Sequence, residues 1–223
     1  MEGEAAHHLG RVLRAQAGQL YELSDGERVW LSRIESVGRD RVQFALVEEL
    51  PAVQPNLDIT LLVALVKFDA FEWAIEKATE LGVTTIVPLA AERSEKALLA
   101  AAAKRAERWK KILLEASQQS RRVRVPTLQS LRLLDEAFSG DSRGARLCLS
   151  ERAEAPSLKT ALSTVKTLSV TLAIGPEGGW TDRELEIVRQ NRFSEVSMGR
   201  LILHTETAVI AALASLNYAL DDK

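Results

Sequence analysis

A glycine-rich turn that follows an apolar run is the sequence feature that most constrains how this chain can fold. Residues 168–174 have the composition of a buried strand, Gly175-Pro176-Glu177-Gly178-Gly179 follow as a tight turn, and Thr181 is the predicted start of a helix. Glycine reaches positive φ and lets a ligand approach the bare main chain. In an open α/β sheet, a turn at the carboxyl end of a strand is where ligands usually bind. The pattern therefore predicts a ligand site at this turn.

Strands alternate with helices after residue 55. The apolar pattern predicts strands at 59–66, 86–89, 146–149, 168–174 and 195–198, and helices at 71–81, 98–120, 184–192 and 205–220. This alternation is typical of an α/β fold, a parallel sheet with helices on both faces. Thr181-Asp182-Arg183-Glu184 has the pattern of a capping box. We expect Thr181 and Glu184 to shape the turn rather than to do chemistry.

The region before residue 50 has a different pattern of predicted secondary structure. Runs with strand composition at 20–23, 29–34 and 42–47 are separated by turn signals at near-regular spacing. Such short strands predict a small β-barrel. Two prolines, Pro51 and Pro55, then mark a boundary. The predicted domains are residues 1–52 and residues 56–223.

Composition and cysteine content favour a cytoplasmic protein. The chain has 223 residues, 46% of them hydrophobic, and a net charge of −2. No apolar run approaches the roughly 18 residues that span a membrane. The acidic start Met1-Glu2-Gly3-Glu4 lacks the apolar segment of a signal peptide. Cys148 is the single cysteine, so an internal disulfide is impossible.

Positive charge is concentrated in residues 104–124. This segment holds eight Lys and Arg and two Glu, a local charge of +6 in a weakly acidic chain. RNA phosphates need local positive charge, not a basic whole protein. The basic residues at 104–111 are explained equally well as the solvated face of a helix. Arg121, Arg122 and Arg124 fall in a predicted loop, which favours RNA binding for them.

The glycine turn matches neither common phosphate-binding motif. It lacks the Lys-Ser/Thr pair of a P-loop and the G-x-G-x-x-G spacing of a dinucleotide fold, and Glu177 would repel a phosphate. A bare backbone beside a carboxylate suits a ligand with hydroxyls, an adenine edge or positive charge, and S-adenosylmethionine has all three. His7 and His8 lack the further ligands that a metal centre needs, so no metal is predicted.

Two long motifs resemble the ribosomal RNA small subunit methyltransferase E family, which belongs to the SPOUT class. They are residues 174–179 (IGPEGG) and residues 198–208 (MGRLILHTETA). Further matches lie at 7–14, at Lys67 with 76–83, at 92–94 and at 115–122 with Pro126. Any one match is unspecific, but together they cover most of the chain.

The resemblance implies S-adenosylmethionine-dependent methylation of N3 of a uridine in 16S rRNA within the small ribosomal subunit. It implies a PUA-like barrel at 1–52, here expected to lack its first strand, and a SPOUT domain with a trefoil knot at 56–223. It also implies a homodimer. We predict that the helix at 207–220 lies in the contact, through the small residues Ala208, Ala211, Ala212 and Ala214 and the apolar residues Leu213, Leu216 and Leu220. His204 departs from the family, which usually has arginine there; it is either a substrate contact or, as we prefer, a packed or solvated side chain.

The two loops and the resemblance together predict the site residues. The predicted cofactor contacts are Leu149, Ile174, Gly175, Pro176, Glu177, Gly178, Gly179, Met198, Gly199, Leu201, Ile202 and Leu203. The predicted RNA contacts are Arg11, Arg14, Lys67, Arg93, Gln119, Arg121 and Arg122. Glu206 and Arg200 are the catalytic candidates, because their loop adjoins the cofactor and N3 must lose a proton to attack. Glu206 has an alternative role, since a carboxylate in the first turn stabilises a helix.

Two other functions stay open at this level. One is a noncatalytic RNA-binding protein that kept the fold, and the other is a methyltransferase of another RNA such as tRNA. The intact glycines Gly175, Gly178, Gly179 and Gly199 argue against the first. The motif at 7–14 and residues 119–122 favour ribosomal RNA over tRNA.

Overall fold

The computed structural model describes residues 1–52, 55–140 and 144–221, which form two compact units. Unit 1 comprises residues 1–52 with Arg122–Arg124, and unit 2 comprises the other described residues. The short basic segment at 122–124 therefore belongs to unit 1, although it lies far along the chain from the rest of that unit. No helix in the described residues is both long enough and apolar enough to cross a membrane.

Unit 1 is a three-stranded antiparallel sheet preceded by a helical segment. Its elements are α1 (Gly3–His7), a π-helical turn (His8–Val12), β1 (Leu20–Ser24), β2 (Val29–Val37) and β3 (Val42–Leu50), in the strand order β1-β2-β3. Ile34 and Val42 of the sheet form a small core with Ala6 and Leu9 of the helical segment. The three predicted strands are confirmed, and the helical segment before them was not predicted.

The segment at 122–124 is tied to the β1–β2 turn of unit 1. Ser24 Oγ donates a hydrogen bond to the Val123 carbonyl at 3.4 Å, and Arg124 Nε donates to the Gly26 carbonyl at 3.1 Å. Arg124 also lies 3.9 Å from the Glu27 carboxylate. Two of the basic residues that follow helix α3 (Lys96–Gln119) thus belong structurally to the N-terminal sheet.

Unit 2 is a parallel sheet with helices on both faces. Its strands are β4 (Asp58–Ala64), β5 (Thr85–Ala90), β6 (Thr127–Leu128), β7 (Arg132–Leu133), β8 (Ala145–Leu149), β9 (Ser169–Ile174) and β10 (Ser194–Val196). Besides α3, its helices are α2 (Phe68–Glu80), α4 (Leu134–Phe138), α5 (Leu158–Leu162), α6 (Asp182–Gln190) and α7 (Thr205–Leu220). The strand order is β10-β8-β9-β4-β5-β6, with β7 also paired to β5.

The alternation of side chains along β4 divides the core of unit 2 into two layers. Leu61 and Val63 point to one face, where they pack with residues of α2, α3, α5 and α7. Leu62 and Ala64 point to the other face and pack with residues of α4 and α6. Both faces of β4 are apolar because both are covered, as expected for a parallel sheet.

The sequence predicted the long elements of unit 2 and the short strand β10, and missed the other four short elements in the described residues. Every predicted strand and helix is present, with ends that shift by a few residues. The elements β6, β7, α4 and α5 have two to five residues each and carry too few positions for a hydrophobic period. In the sheet, β9 lies between β4 and β8, which both precede it in the chain. The trefoil knot stays a prediction.

Candidate functional site

A cavity of about 280 Å³ lies in unit 2 at the carboxyl ends of three neighbouring strands. Its walls come from the segments that follow β8, β9 and β10, which are parallel and adjacent. Every residue that the sequence predicts as a cofactor contact, except Glu177, lines this cavity: Leu149, Ile174, Gly175, Pro176, Gly178, Gly179, Met198, Gly199, Leu201, Ile202 and Leu203. The two predicted loops therefore meet at one site, because parallel strands deliver their carboxyl ends to the same edge.

Hydrogen bonds from both sides fix the glycine turn. Trp180 Nε1 donates to the Leu149 carbonyl at 2.8 Å, which ties the turn to the end of β8. Thr205 Oγ1 donates to the Gly175 carbonyl at 3.0 Å, which ties it to the start of α7. A Cβ at Gly175 would stand 2.9 Å from the Trp180 ring, so only glycine fits there.

The predicted capping box at Thr181 is confirmed, and its carboxylate does more than cap a helix. Glu184 is 1% exposed, and its two oxygens accept from the backbone amides of Thr181 and Glu92, each at 2.8 Å. The Arg93 guanidinium, next in the chain, donates to the Gly178 carbonyl. One buried carboxylate thus joins the glycine turn to the segment after β5 and brings Arg93 to the cavity wall.

The second loop, residues 197–204, is tied to the protein at its start, where the Ser197 backbone bonds with Pro156 and Leu158, each at 2.8 Å. Ser197 Oγ bonds with the backbone of Gly199, which takes a φ of +128°. The apolar side chains of Leu201 and Ile202 are 82% and 73% exposed. Arg200, a predicted catalytic residue, lines the cavity between them and Gly199. The loop thus presents apolar surface without protein cover in the described residues.

Glu177, His204 and Glu206 form a cluster beside the cavity. The residues on either side of Glu177 and of His204 line the cavity, whereas these two side chains do not. His204 Nδ1 lies 3.7 Å from Glu177 Oε1, and the two side chains are 74% and 50% exposed. The second carboxylate oxygen of Glu206, Oε2, is buried and has no hydrogen-bond partner. The two cofactor loops and the start of α7 therefore share one group of titratable side chains.

The same cluster has the residue types of a metal centre. One oxygen or nitrogen from each of the three side chains lies within 4.8 Å of the other two. Exposed carboxylates reach such distances without binding an ion. The expectation from sequence that the protein holds no metal remains a prediction.

The predicted RNA contacts are divided between the units. Arg11, Arg14 and Arg122 belong to unit 1, and Lys67, Arg93, Gln119 and Arg121 belong to unit 2. All are exposed except Arg122, which is half-buried. Burial lowers the pKa of the Arg122 guanidinium from its usual value. Arg121 adopts a φ of +57° in the turn that ends α3.

Basic residues within α3 are engaged with other side chains. Arg105 and Arg108 lie 3.3 Å and 2.7 Å from the buried Glu72 carboxylate of α2, and Lys110 lies 2.8 Å from Glu107. These pairs agree with the interpretation of residues 104–111 as an ordinary charged helix face. The turn at 119–122 is the better candidate for RNA.

Sequence reasoning missed several residues of the cavity wall. These are Ser150, Glu151, Arg152, Trp180, Leu185, Ser197, Thr205 and Ala208. Trp180 adjoins the first motif, and Thr205 and Ala208 lie within the second, so their position in the sequence offered a signal. Nothing in the local sequence of residues 150–152 distinguishes them, because only the pairing of β8 between β9 and β10 places them at the site.

Comparisons with known proteins agree with this fold and site. A sequence family described as RNA methyltransferase domain matches residues 53–217, and one described as RNA methyltransferase PUA domain matches residues 2–47. A solved structure of a ribosomal RNA small subunit methyltransferase E from Neisseria gonorrhoeae, bound to S-adenosyl methionine, is similar with a TM-score of 0.88 and 29% identity. The similarity covers 98% of this chain and 90% of that one. The fold and cavity thus define a SPOUT-type RNA methyltransferase with a PUA-like domain.

Two relatives with the same name narrow the class of RNA methyltransferases to one family. Ribosomal RNA small subunit methyltransferase E of Synechocystis is 35% identical over 96% of this chain and 71% of its own length. The protein of the same name from Aquifex aeolicus is 32% identical over 96% of this chain and 91% of its own. The chain belongs to the ribosomal RNA small subunit methyltransferase E family.

Proposed function

We propose that this protein methylates N3 of a uridine in 16S rRNA, with S-adenosylmethionine as the methyl donor, in the cytoplasm. Family membership supports the substrate class. The observation in the molecule that carries the chemistry is the buried, unpaired Oε2 of Glu206 beside the cavity.

The residues of the cavity fit S-adenosylmethionine. The wall offers apolar side chains such as Leu149, Ile174 and Leu203 for a flat adenine, and charges of both signs, Arg93 and Glu151, for an amino-acid group. Gly178 and Gly179 leave bare backbone on the wall. When bound, the cofactor supplies an electrophilic methyl group.

Glu206 is suited to accept the proton of uracil N3. A buried carboxylate oxygen without a partner costs free energy, and an N–H donor from the substrate would satisfy it. N3 becomes nucleophilic as this proton leaves. Arg200 on the cavity wall would stabilise the negative charge that develops on the uracil oxygens. The enzyme otherwise contributes alignment of the two reactants.

Unit 1 and the turn after α3 are the proposed RNA-binding surfaces. Arg11 and Arg14 present exposed charge in unit 1, and Arg121 does so in unit 2. Replacing Arg121 by glycine removes the charge and suits the φ of +57° at this position. We expect weaker RNA binding and a log–log salt dependence that is flatter by about 0.7. Lys110→Ala, which removes a charge already paired with Glu107, is the matched control. An equal slope in both variants would place the RNA elsewhere.

The proposed assembly is a homodimer, with a correction to the predicted contact. Leu213 and Leu216 are fully buried in the core of unit 2 and are not available to a partner. The exposed stripe of α7 runs through Thr207 and Ala214, which belong to the predicted contact, and through Tyr218, which is 94% exposed. Tyr218→Glu should give a particle of 24.6 kDa by light scattering if this stripe forms the contact. An unchanged dimer mass would exclude it.

The central test supplies cofactor with a labelled methyl group to the purified protein together with small ribosomal subunits, naked 16S rRNA or tRNA. We expect label in 16S rRNA and a stop of reverse transcription at one uridine, because an N3 methyl group blocks base pairing. Label in tRNA alone would contradict the proposed substrate. Cofactor binding without transfer to any RNA would favour the noncatalytic alternative.

Replacement of Glu206 tests the proposed proton acceptor. Glu206→Gln should leave cofactor affinity unchanged by calorimetry and lower the methylation rate by about 100-fold or more. Glu186→Gln, an exposed change on α6, is the control and should have the wild-type rate. A wild-type rate in Glu206→Gln would exclude this role.

A further inference from the structure

Each turnover of the proposed reaction releases one proton, because the N3–H bond of uracil is replaced by an N3–C bond. The proposed acceptor atom, Glu206 Oε2, is buried. Glu206 as a whole is partly exposed, so a titratable group beside it would shorten the path of this proton to solvent.

His204 is placed to be this second group. One atom of its imidazole lies within 4.8 Å of a carboxylate oxygen of Glu206 and of Glu177. Its side chain is 74% exposed, so the ring reaches solvent as well as the carboxylates. Imidazole has two nitrogens, so it can accept a proton at one and donate from either. The imidazole therefore lies between the buried acceptor and solvent, and one water or a small side-chain movement would bridge its distance to Glu206.

Glu177 has a separate part in this arrangement. It reaches the imidazole from the glycine turn, 3.7 Å from Nδ1, which is ion-pair distance and too long for a hydrogen bond. A carboxylate at this position stabilises an imidazolium ion and orients the ring, as carboxylates do in other proton-transfer sites. Glu177 thus belongs to the site although it does not line the cavity.

We propose that His204 is a proton relay that carries the N3 proton from Glu206 to solvent, with Glu177 orienting the imidazole; this inference rests on the proposed function. N3 forms its bond to the methyl carbon as the carbon–sulfur bond breaks with its electron pair on sulfur, and the N3 proton passes to Glu206 Oε2. Glu206 then gives the proton to an imidazole nitrogen, and the imidazolium gives it to water. Charge and atoms balance, with one proton released for each methyl group transferred.

The kinetic test uses His204→Ala with and without added imidazole. We expect kcat to fall by about 100-fold, KM for RNA to stay within about twofold, and cofactor affinity to match the wild type by calorimetry. Free imidazole should restore part of kcat. Glu186→Gln, an exposed change on α6, is the control and should keep the wild-type kcat with or without imidazole.

A second measurement does not depend on activity. The chain has three histidines, so each imidazole C2–H signal can be assigned by NMR through single substitutions. Glu206→Gln and Glu177→Gln should each move the His204 signal and leave those of His7 and His8 in place. Glu186→Gln should move none of the three.

Several outcomes would overturn the relay. The first is an unchanged kcat in His204→Ala, and the second is a loss of activity that imidazole does not restore. The third is a His204 C2–H signal that keeps its position in Glu206→Gln. Activity that a chelator abolishes and zinc restores would do so too, because the cluster would then be a metal centre. If the wild-type protein transfers no methyl group to any RNA, the proposed function fails instead, and the NMR result still reports on the cluster.

Discussion

The two loops that form the cavity differ in how they are held. The glycine turn at 175–179 is fixed by Trp180, Thr205 and the buried Glu184, which connect it to β8, α7 and the segment after β5. The loop at 197–204 is tied at Ser197 to Pro156 and Leu158, and beyond this residue it exposes Leu201 and Ile202. Hydrogen bonds to other elements hold one wall of the site, residues 175–179, which we call the braced turn. The other wall, residues 197–204, presents uncovered apolar surface, and we call it the open loop.

The two loops therefore contribute to ligand binding in different ways. A braced turn keeps its geometry before a ligand arrives, so binding loses little conformational entropy there. Exposed apolar side chains gain stabilisation only when something covers them. We therefore expect changes in the braced turn to lower both stability and cofactor binding, and changes in the open loop to lower binding alone.

The largest effect is expected at Gly175 of the braced turn, where there is no space for a side chain. Gly175→Ala places a Cβ 2.9 Å from a Trp180 ring that is hydrogen-bonded to Leu149. Overpacking of this kind costs about 1–3 kcal/mol of unfolding free energy. Cofactor affinity should fall by at least about tenfold, or 1.4 kcal/mol. Urea unfolding and calorimetry measure the two losses.

Gly140→Ala serves as the control for this change. Its Cβ would meet only the Ala137 carbonyl, at an ordinary 3.7 Å, and should alter neither quantity. Equal stability of the two variants would show that the Trp180 ring moves freely and that the turn is not braced.

Removal of the buried carboxylate comes next. Glu184→Ala leaves the backbone amides of Thr181 and Glu92 without their acceptor, which costs about 1–3 kcal/mol of stability. Glu186→Ala removes an exposed carboxylate from the same helix and should change stability by less than about 0.5 kcal/mol. Thermal unfolding compares them. Similar melting temperatures of the two variants would mean that Glu184 does not stabilise the glycine turn.

The open loop should respond in the opposite manner. Leu201→Ser with Ile202→Ser should leave the unfolding free energy within about 0.5 kcal/mol of the wild type. Cofactor affinity should fall about tenfold, since the apolar cover that these side chains provide is lost. Leu168→Ser, at a half-exposed leucine before β9, is the control and should bind normally. A destabilised double variant would indicate that the loop is already packed.

The smallest effect is expected for Cys148. This residue precedes Leu149 in β8, the strand to which the braced turn is tied through Trp180. Burial raises the pKa of the Cys148 thiol far above its usual value. The unfolded thiol ionises near pH 8.5 and the folded one does not, so this contribution to stability is complete below pH 8.5 and is lost as the pH rises. Between pH 7 and pH 9 we expect a loss of about 0.8 kcal/mol that is absent in Cys148→Ala. Parallel pH profiles of the two proteins would mean that the thiol is accessible.

The site divides into parts that local sequence reveals and parts that it does not. The glycine turn, the capping box and the loop before α7 each follow from residues that are close in sequence. Arg93 and Glu151 reach the cavity through the pairing of distant strands. No local pattern marks Glu151, and the motif at 92–94 marks Arg93 without placing it at the cavity. Arg93, predicted as an RNA contact, bonds the Gly178 carbonyl instead of lying on a separate surface; its role toward RNA remains a prediction.

Sequence alone determined the α/β class of unit 2, the strands of unit 1 and the two loops of the cavity, because hydrophobic period and glycine placement act over short distances. Only the tertiary structure decided which strands are neighbours, and so which loops meet. It also decided that α7 uses Leu213 and Leu216 for its own core and leaves Tyr218 exposed. It placed residues 122–124 in unit 1 and brought Glu177, His204 and Glu206 together. These arrangements depend on contacts between residues far apart in the chain, which no local period encodes.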